Sequence, residues 1–342
     1  MVSEMTFDPI RLGNAALGVP VFLAPMAGIT DLPFRRVVTG FGAGLVVSEM
    51  VASSEMVTHR PSPRASVRAK ALTDMGAVPV SVQIAGREAA PMAETARIVA
   101  GMGARIIDIN MGCPAKKVTG GLSGAALMRD LDHALRLIDA VVGAVDLPVT
   151  LKMRLGWDEG SLNAADLSAR ARDAGVGMLT VHGRTRAQFY TGQADWAALQ
   201  PVANLAGRPP LVVNGDIVDA EAARAALAAS GADAVMVGRG AQGAPWKLAE
   251  IGHTLYGAPA PAVPRGAALA DLISAHYEDM LSFYGTDPGL RVARKHLGWY
   301  ADAAGAGAHR GALFRAASPA ETLHVIRAVF ADAPGPDQEA AA

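Results

Sequence analysis

The sequence predicts an α/β chain: a TIM-type (β/α)8 barrel followed by a small C-terminal helical domain. Three observations predict it. Short β-branched apolar runs alternate with helical patterns from residue 20 to about residue 250. Several of those runs are apolar without interruption, as strands covered on both faces must be. Eight such units in this length match a closed barrel; an open doubly wound sheet is the competing arrangement of the same units.

The strands are expected at residues 21–24, 45–48, 79–84, 105–109, 148–153, 178–181, 210–213 and 234–237. Helical patterns lie between them at 88–102, 131–142, 164–174 and 220–229. The barrel is expected to span 10–254. GAPAPAVP at 257–264 reads as a linker, and helices at 267–283, 288–300 and 319–330 make a domain over 265–331. The Pro-, Gly- and Ala-rich tail at 332–342 reads as disordered.

Composition narrows the function classes. Hydrophobic residues make up 51% of the 342, enough for a large core and too many for a disordered chain. The net charge of −1 gives no nucleic-acid-attracting field, so any such site must be a local patch. A single cysteine, Cys113, can form neither an internal disulfide nor a thiolate metal cage. The first 14 residues carry acids and no apolar core, and Pro20 and Pro25 break the uncharged stretch 12–30. The expectation is a cytoplasmic protein without a membrane span or a site for a metal.

Barrels of this kind build active sites at the C-terminal ends of their strands. Here special residues follow or close every strand: Pro25, Met26 and Ala27; Glu49; Gln83; Asn110 and Cys113; Lys152 and Arg154; His182; Asn214, Gly215 and Asp216; Gly238, Arg239 and Gly240. Gly215, Gly238, Gly240 and Gly243 read as a phosphate cradle, because the loops after strands seven and eight commonly hold phosphate and glycine lets backbone amides approach an anion. Tight turns alone are the plain alternative. Gly238–Gly243 also spells G-x-G-x-x-G, but a dinucleotide fingerprint opens the first β/α unit and is followed by an acid. Lys152, at the end of an apolar run, suits a flavin, whose reduced ring a nearby cation stabilises; an ion pair closing the barrel is the alternative. Gln83 can hydrogen-bond the ring's pyrimidine edge. Cys113, between Gly112 and Pro114 and ahead of Lys116 and Lys117, reads as an exposed thiol. A thiol, with an ordinary pKa of about 8.5, is protonated near neutrality and can serve as a general acid.

These residues sit in motifs that resemble the tRNA-dihydrouridine synthase family, in its bacterial B-type branch. The motifs are APMAGITD (24–31), NMGCP (110–114), LKMRLGW (151–157), VHGRT (181–185), VNGDI (213–217) and GRG (238–240), within a resemblance that runs from about residue 10 to residue 320. Thr119-Gly120-Gly121 differs, standing where the family often has basic residues. The resemblance implies FMN contacted by Pro25, Met26, Ala27, Gln83, Lys152, Asn214, Gly215, Asp216, Gly238 and Arg239, with His182 close to the ring. It implies NADPH as reductant, Cys113 as proton donor, and tRNA as the partner that presents a flipped D-loop uridine. Asn110 then orients the base, and Arg154 joins it among the substrate contacts.

RNA also needs cations around the mouth. Arg60, Arg64, Arg68 and Lys70 in residues 59–70, then Lys116, Lys117, Arg184 and Arg186, supply an expected rim; Arg291, Arg294 and Lys295 share one helical face in the C-terminal domain. A solvated charged face is the plain reading of any one cluster. Rival functions are an FMN barrel acting on a free pyrimidine such as dihydroorotate, a non-catalytic RNA-binding regulator, and a flavin-free phosphosugar isomerase.

Overall fold

The computed structural model describes residues 7–57 and 80–331. The basic stretch 59–70, Pro79 and the tail 332–342 lie outside the described residues. Eight parallel strands close a ring: β1 (Val21–Leu23), β2 (Leu45–Val47), β3 (Val80–Ala85), β4 (Ile106–Met111), β5 (Val149–Arg154), β6 (Met178–His182), β7 (Leu211–Asn214) and β8 (Ala234–Val237). β8 pairs with β1 and β2 with β3, so the sheet has no open edge there and the doubly wound alternative is excluded. Every residue of β3, β4 and β5 is buried, so the polar residues that alternate along them, among them Gln83, Asp108, Asn110, Thr150 and Lys152, share a face enclosed by protein rather than turned to solvent.

Helices cover the outside: α1 (Leu32–Phe41), α2 (Ala89–Gly101), α3 (Leu131–Val142), α4 (Ala164–Asp173), α5 (Ala220–Ser230) and α6 (Lys247–Tyr256). Local chemistry sets their ends. Asp31 caps α1 by accepting from Phe34 N–H at 3.0 Å, and Gly42, at φ 108°, closes it. Asp219 and Gly231 do the same for α5. A hairpin not expected from the sequence, Arg11–Leu12 with Ala15–Ala16, places Leu12 against Phe22, Ile106 and Val212 at the bottom of the barrel.

The C-terminal helices are α7 (Gly266–Tyr284), α8 (Thr286–Ala303), α9 (Arg310–Arg315) and α10 (Pro319–Phe330). They have their own apolar cluster, including Tyr277, Leu297, Tyr300, Ile326 and Phe330, and it takes in Trp246 from the end of the barrel. α9 was absent from the expected elements, and α6 runs two residues past 254. Among the described residues no helix is long and apolar enough to cross a membrane.

One boundary difference matters for the site. Asn110, His182 and Asn214 were expected just past their strands, yet each is paired within the sheet. Asn110 is level with Lys152, and His182 is level with both Arg154 and Asn214. The backbone ladder thus runs one rung further on these strands, so the sheet rather than a loop fixes where the three side chains start.

Candidate active site

The register fixes the floor of the site. Gln83 is level with Asp108, and Asn110 with Lys152. Buried polar groups there must bond to one another. Asp108 accepts from Thr150 Oγ1 at 2.6 Å and from Gln83 Nε2 at 2.7 Å; Gln83 Oε1 in turn accepts from Asn110 Nδ2 at 2.7 Å. Asn110 Oδ1 then accepts the backbone N–H groups of Gly112 at 3.2 Å and Cys113 at 3.0 Å. A relay thus runs from a buried carboxylate to the turn that carries the thiol. Asp108 went unread in the sequence, although Asp108 and Asn110 stand two apart in an otherwise apolar strand and therefore face the same side. Burial pushes the Asp108 carboxyl up to about 6, against bonds from Thr150 and Gln83 and the charge of Lys152.

Lys152 donates to Asn214 Oδ1 at 2.9 Å, and Asn214 Nδ2 donates to Met236 O at 2.8 Å. Burial, reinforced by Arg154, lowers the Lys152 ammonium to about 8, with Asp108 opposing. Arg154 is buried and donates to the carbonyls of Gly112, Thr185 and Phe189, each at 2.9 Å, so it holds the loops after β4 and β6 together. Burial, with Lys152 and three arginines nearby, holds His182 well below its ordinary pKa, and the ring is neutral near pH 7.

The two glycine turns differ in what they demand. Gly215 (φ 116°) and Asp216 (φ 54°) are successive left-handed residues; a Cβ at Gly215 would lie 2.9 Å from the His182 ring. Only glycine fits that approach. Gly240 lies against the loop after β7, since its Cβ would fall 2.8 Å from Ile217 O. Gly243 serves another purpose than the expected anion cradle: a Cβ there would stand 2.2 Å from Trp299 O, so it seats α8 on the barrel. A short 3₁₀ turn, Arg239–Ala241, separates Gly238 from it.

These groups surround one cavity of about 650 Å³, a size ordinary for a cofactor site. Pro25, Met26, Ala27, Gln83, Asn110, Cys113, Lys152, Arg154, His182 and Arg184 line it, with Asn214, Gly215, Asp216, Gly238 and Arg239. The structure therefore brings the expected floor, thiol and turns to one place. The profile described as "Dihydrouridine synthase (Dus)" matches residues 22–333.

The chain belongs to the dihydrouridine synthase family.

It is 66% identical over 324 residues to a "Probable tRNA-dihydrouridine synthase" of Rhodobacter capsulatus, covering 94% of this chain and 98% of that one. To "tRNA-dihydrouridine synthase B" of Xanthomonas campestris it is 44% identical over 326 residues, covering 94% and 96%. Among solved structures, a histamine dehydrogenase from Rhizobium sp. 4-9 superposes with a TM-score of 0.57 at 12% identity, over 80% of this chain and 51% of that one. A morphinone reductase superposes with a TM-score of 0.54 at 15% identity, over 76% and 93%. At such identities these two bear on the fold alone. Family membership makes the chain an oxidoreductase.

The expected cationic rim is partly redistributed in this dihydrouridine synthase. Lys116, Lys117, Arg291 and Arg294 are exposed. Arg184 is not on the rim: its side chain is 2% exposed and pairs with Asp216 at 2.6 Å, while donating to the carbonyls of Thr191 and Gly192. Lys295 turns inward, donating to the carbonyl of Gly28. Two arginine-stacked aromatics were also unread: Tyr190, exposed and lining the cavity, and Trp157, half-buried and outside that lining. The guanidinium carbons of Arg154 and Arg239 lie 5.7 and 5.3 Å from the Tyr190 ring, and Arg129 and Arg186 lie 5.0 and 4.7 Å from that of Trp157. Arginine–aromatic stacks of this kind suit a surface that meets nucleobases.

Proposed function

We propose that this chain is an FMN-dependent, NADPH-driven tRNA-dihydrouridine synthase of the cytoplasm that reduces a D-loop uridine. The observation that carries the reading is the convergence, in one cavity, of the only thiol, a buried lysine and the turns after β7 and β8. These residues fit FMN. The left-handed pair Gly215–Asp216 and the turn at Gly238-Arg239 suit its phosphate, Lys152 its ring, Gln83 the pyrimidine edge, and the Pro25–Ala27 turn its flank. A flavin held there would supply the hydride needed at C6 of the uracil. Cys113 donates the proton that arrives at C5. Asn110 holds the thiol's turn through its carbonyl oxygen and, with Arg154 behind that turn, keeps the mouth open to a base flipped from the RNA stack. The exposed cations Lys116, Lys117, Arg291 and Arg294 meet phosphates, and no obligatory protein partner is required.

The free-pyrimidine reading has no use for the arginine–aromatic mouth. Mapping dihydrouridine in tRNA from a strain lacking this protein decides between them: a missing modification, restored by the gene, is expected, and an unchanged map with loss of free-pyrimidine reduction would favour the rival. Affinity for tRNA is expected to fall linearly in log–log form as salt rises; filter binding across a salt series checks this, and a flat response would remove the proposed surface.

Lys152 gives a pH prediction. Its folded-state pKa is about 8, so it is charged below that value and neutral above it. FMN affinity of the apoprotein is expected to be steady near neutrality, above the titration of Asp108 at about 6, and to fall as pH rises through about 8. Fluorescence titration should show the step, and Lys152→Met should abolish it; a wild-type profile flat to about pH 10, near the ordinary lysine value, contradicts the role.

A further inference from the structure

Lys295 shares its helix with Arg291 and Arg294 but not their surroundings. Its ammonium is half-buried and donates to the carbonyl oxygen of Gly28. The N–H of the same glycine donates to Glu49 Oε1, just beyond β2. Gly28 therefore has both backbone polar groups held, one from the barrel and one from α8, in a left-handed conformation with φ 75°. It sits within the turn closed by Ile29 N–H and Thr30 N–H donating to Met26 O at 2.9 and 3.0 Å. The other limb of that turn, Pro25–Ala27, lines the cavity.

Neighbouring contacts make the same junction. Tyr284, at the end of α7, donates to Asp31 Oδ2 at 2.9 Å, and Arg36 pairs with Asp279 at 2.9 Å. About one turn beyond Lys295, the Trp299 carbonyl meets Gly243. Helix α8 thus presses on the loop after β1 through Lys295 and on the loop after β8 through Trp299. Those two loops are neighbours, since β8 pairs with β1, and both line the cavity.

We propose that Lys295 is a positioning residue for the flavin pocket: by holding the Gly28 carbonyl opposite the Glu49-bound amide it fixes the Pro25–Ala27 turn, so the helical domain completes the cofactor site as well as facing RNA. The proposal rests on the FMN reading above. Its logic is preorganisation. A turn with both polar groups of its central glycine tied down loses less freedom when a ligand packs on it. Burial lowers the Lys295 ammonium while Asp31 and Glu49 act to keep it charged, which is the balance expected of a cation enclosed beside carboxylates.

The experiment compares Lys295→Met, Lys295→Arg and the double variant Arg291→Met/Arg294→Met in the full chain. FMN uptake by the apoprotein is titrated by flavin fluorescence, and tRNA binding is measured separately at saturating FMN. Loss of a charge-assisted bond predicts an FMN Kd raised about tenfold in Lys295→Met, partial recovery in Lys295→Arg, and tRNA affinity within about twofold of wild type. The double variant should do the reverse. An unchanged FMN Kd with weakened tRNA binding overturns the proposal and makes Lys295 an RNA contact. If Lys295→Met does not fold, Glu49→Gln decides: it weakens the opposite tie on the same glycine, the charge-assisted bond from Gly28 N–H, and should raise the FMN Kd by about threefold, and no change overturns the proposal. Wild-type apoprotein that takes up no FMN would sink the flavin reading itself, and the role of Lys295 with it.

Discussion

Replacing Cys113 by alanine is expected to leave FMN and tRNA bound and to slow uridine reduction by about 10²–10⁴-fold, the usual weight of a positioned general acid. The structure gives reason to expect a clean loss. The turn that carries Cys113 is held by backbone groups: its N–H is bound by Asn110 Oδ1 at 3.0 Å and its carbonyl accepts Ala125 N–H at 3.1 Å. Neither bond involves sulfur. Gly124, at φ 60°, lets the chain pass so close that a Cβ there would stand 2.9 Å from Cys113 O. Alanine keeps all of this and removes only Sγ. Single-turnover reduction of tRNA by pre-reduced enzyme is the measurement, with flavin absorbance confirming that the cofactor is retained. Wild-type rates in the variant would assign the proton to another group.

How well the sequence could be read follows from what each signal depends on. Strands β1, β2 and β8 were legible because burial on both faces writes itself as uninterrupted apolar runs, while β3, β4 and β5 set polar residues at the two-residue period of a strand. Gln83, Asn110, Lys152 and Asn214 were legible because barrel strand ends converge whatever the loops do. What failed were the partners of charges. Arg184 and Lys295 look like solvent-facing cations, and nothing within a few residues of either says that Asp216 or the Gly28 carbonyl waits inside. Those contacts cross 32 and 267 positions of chain, and only closure of the barrel and docking of α8 create them. Gly243 misled for the same reason: a glycine needed for backbone approach looks alike whether an anion or a helix approaches. Asp108 was missed because a lone acid in an apolar strand has no readable purpose until its neighbours Gln83 and Thr150 are known.

Arg184→Met provides the second large effect and separates a buried role from a surface one. Arg184 makes a two-pronged contact with Asp216, at 2.6 and 3.0 Å, and two further bonds to the loop after β6. The arginine is enclosed while Asp216 is 29% exposed, so the carboxylate left behind stays partly solvated. The cost is therefore expected at the low end for a broken buried pair, about 3 kcal/mol, seen as a Tm lowered by several degrees. The loss should depend on pH. Burial raises the Asp216 carboxyl, but bonds and charge from Arg184, with the Ala194 N–H and Arg239, outweigh it and hold the group below its ordinary 3.8. An acid depressed in the folded state contributes stability that is present above its unfolded pKa and lost as pH falls through the folded one. Wild type should thus lose stability below about pH 4, and Arg184→Met should lose less there, so the two denaturation curves converge on acidification. Because Asp216 follows Gly215 in the left-handed turn, FMN affinity should weaken in the same variant. An unchanged Tm with weakened tRNA binding would instead return Arg184 to the RNA-facing rim.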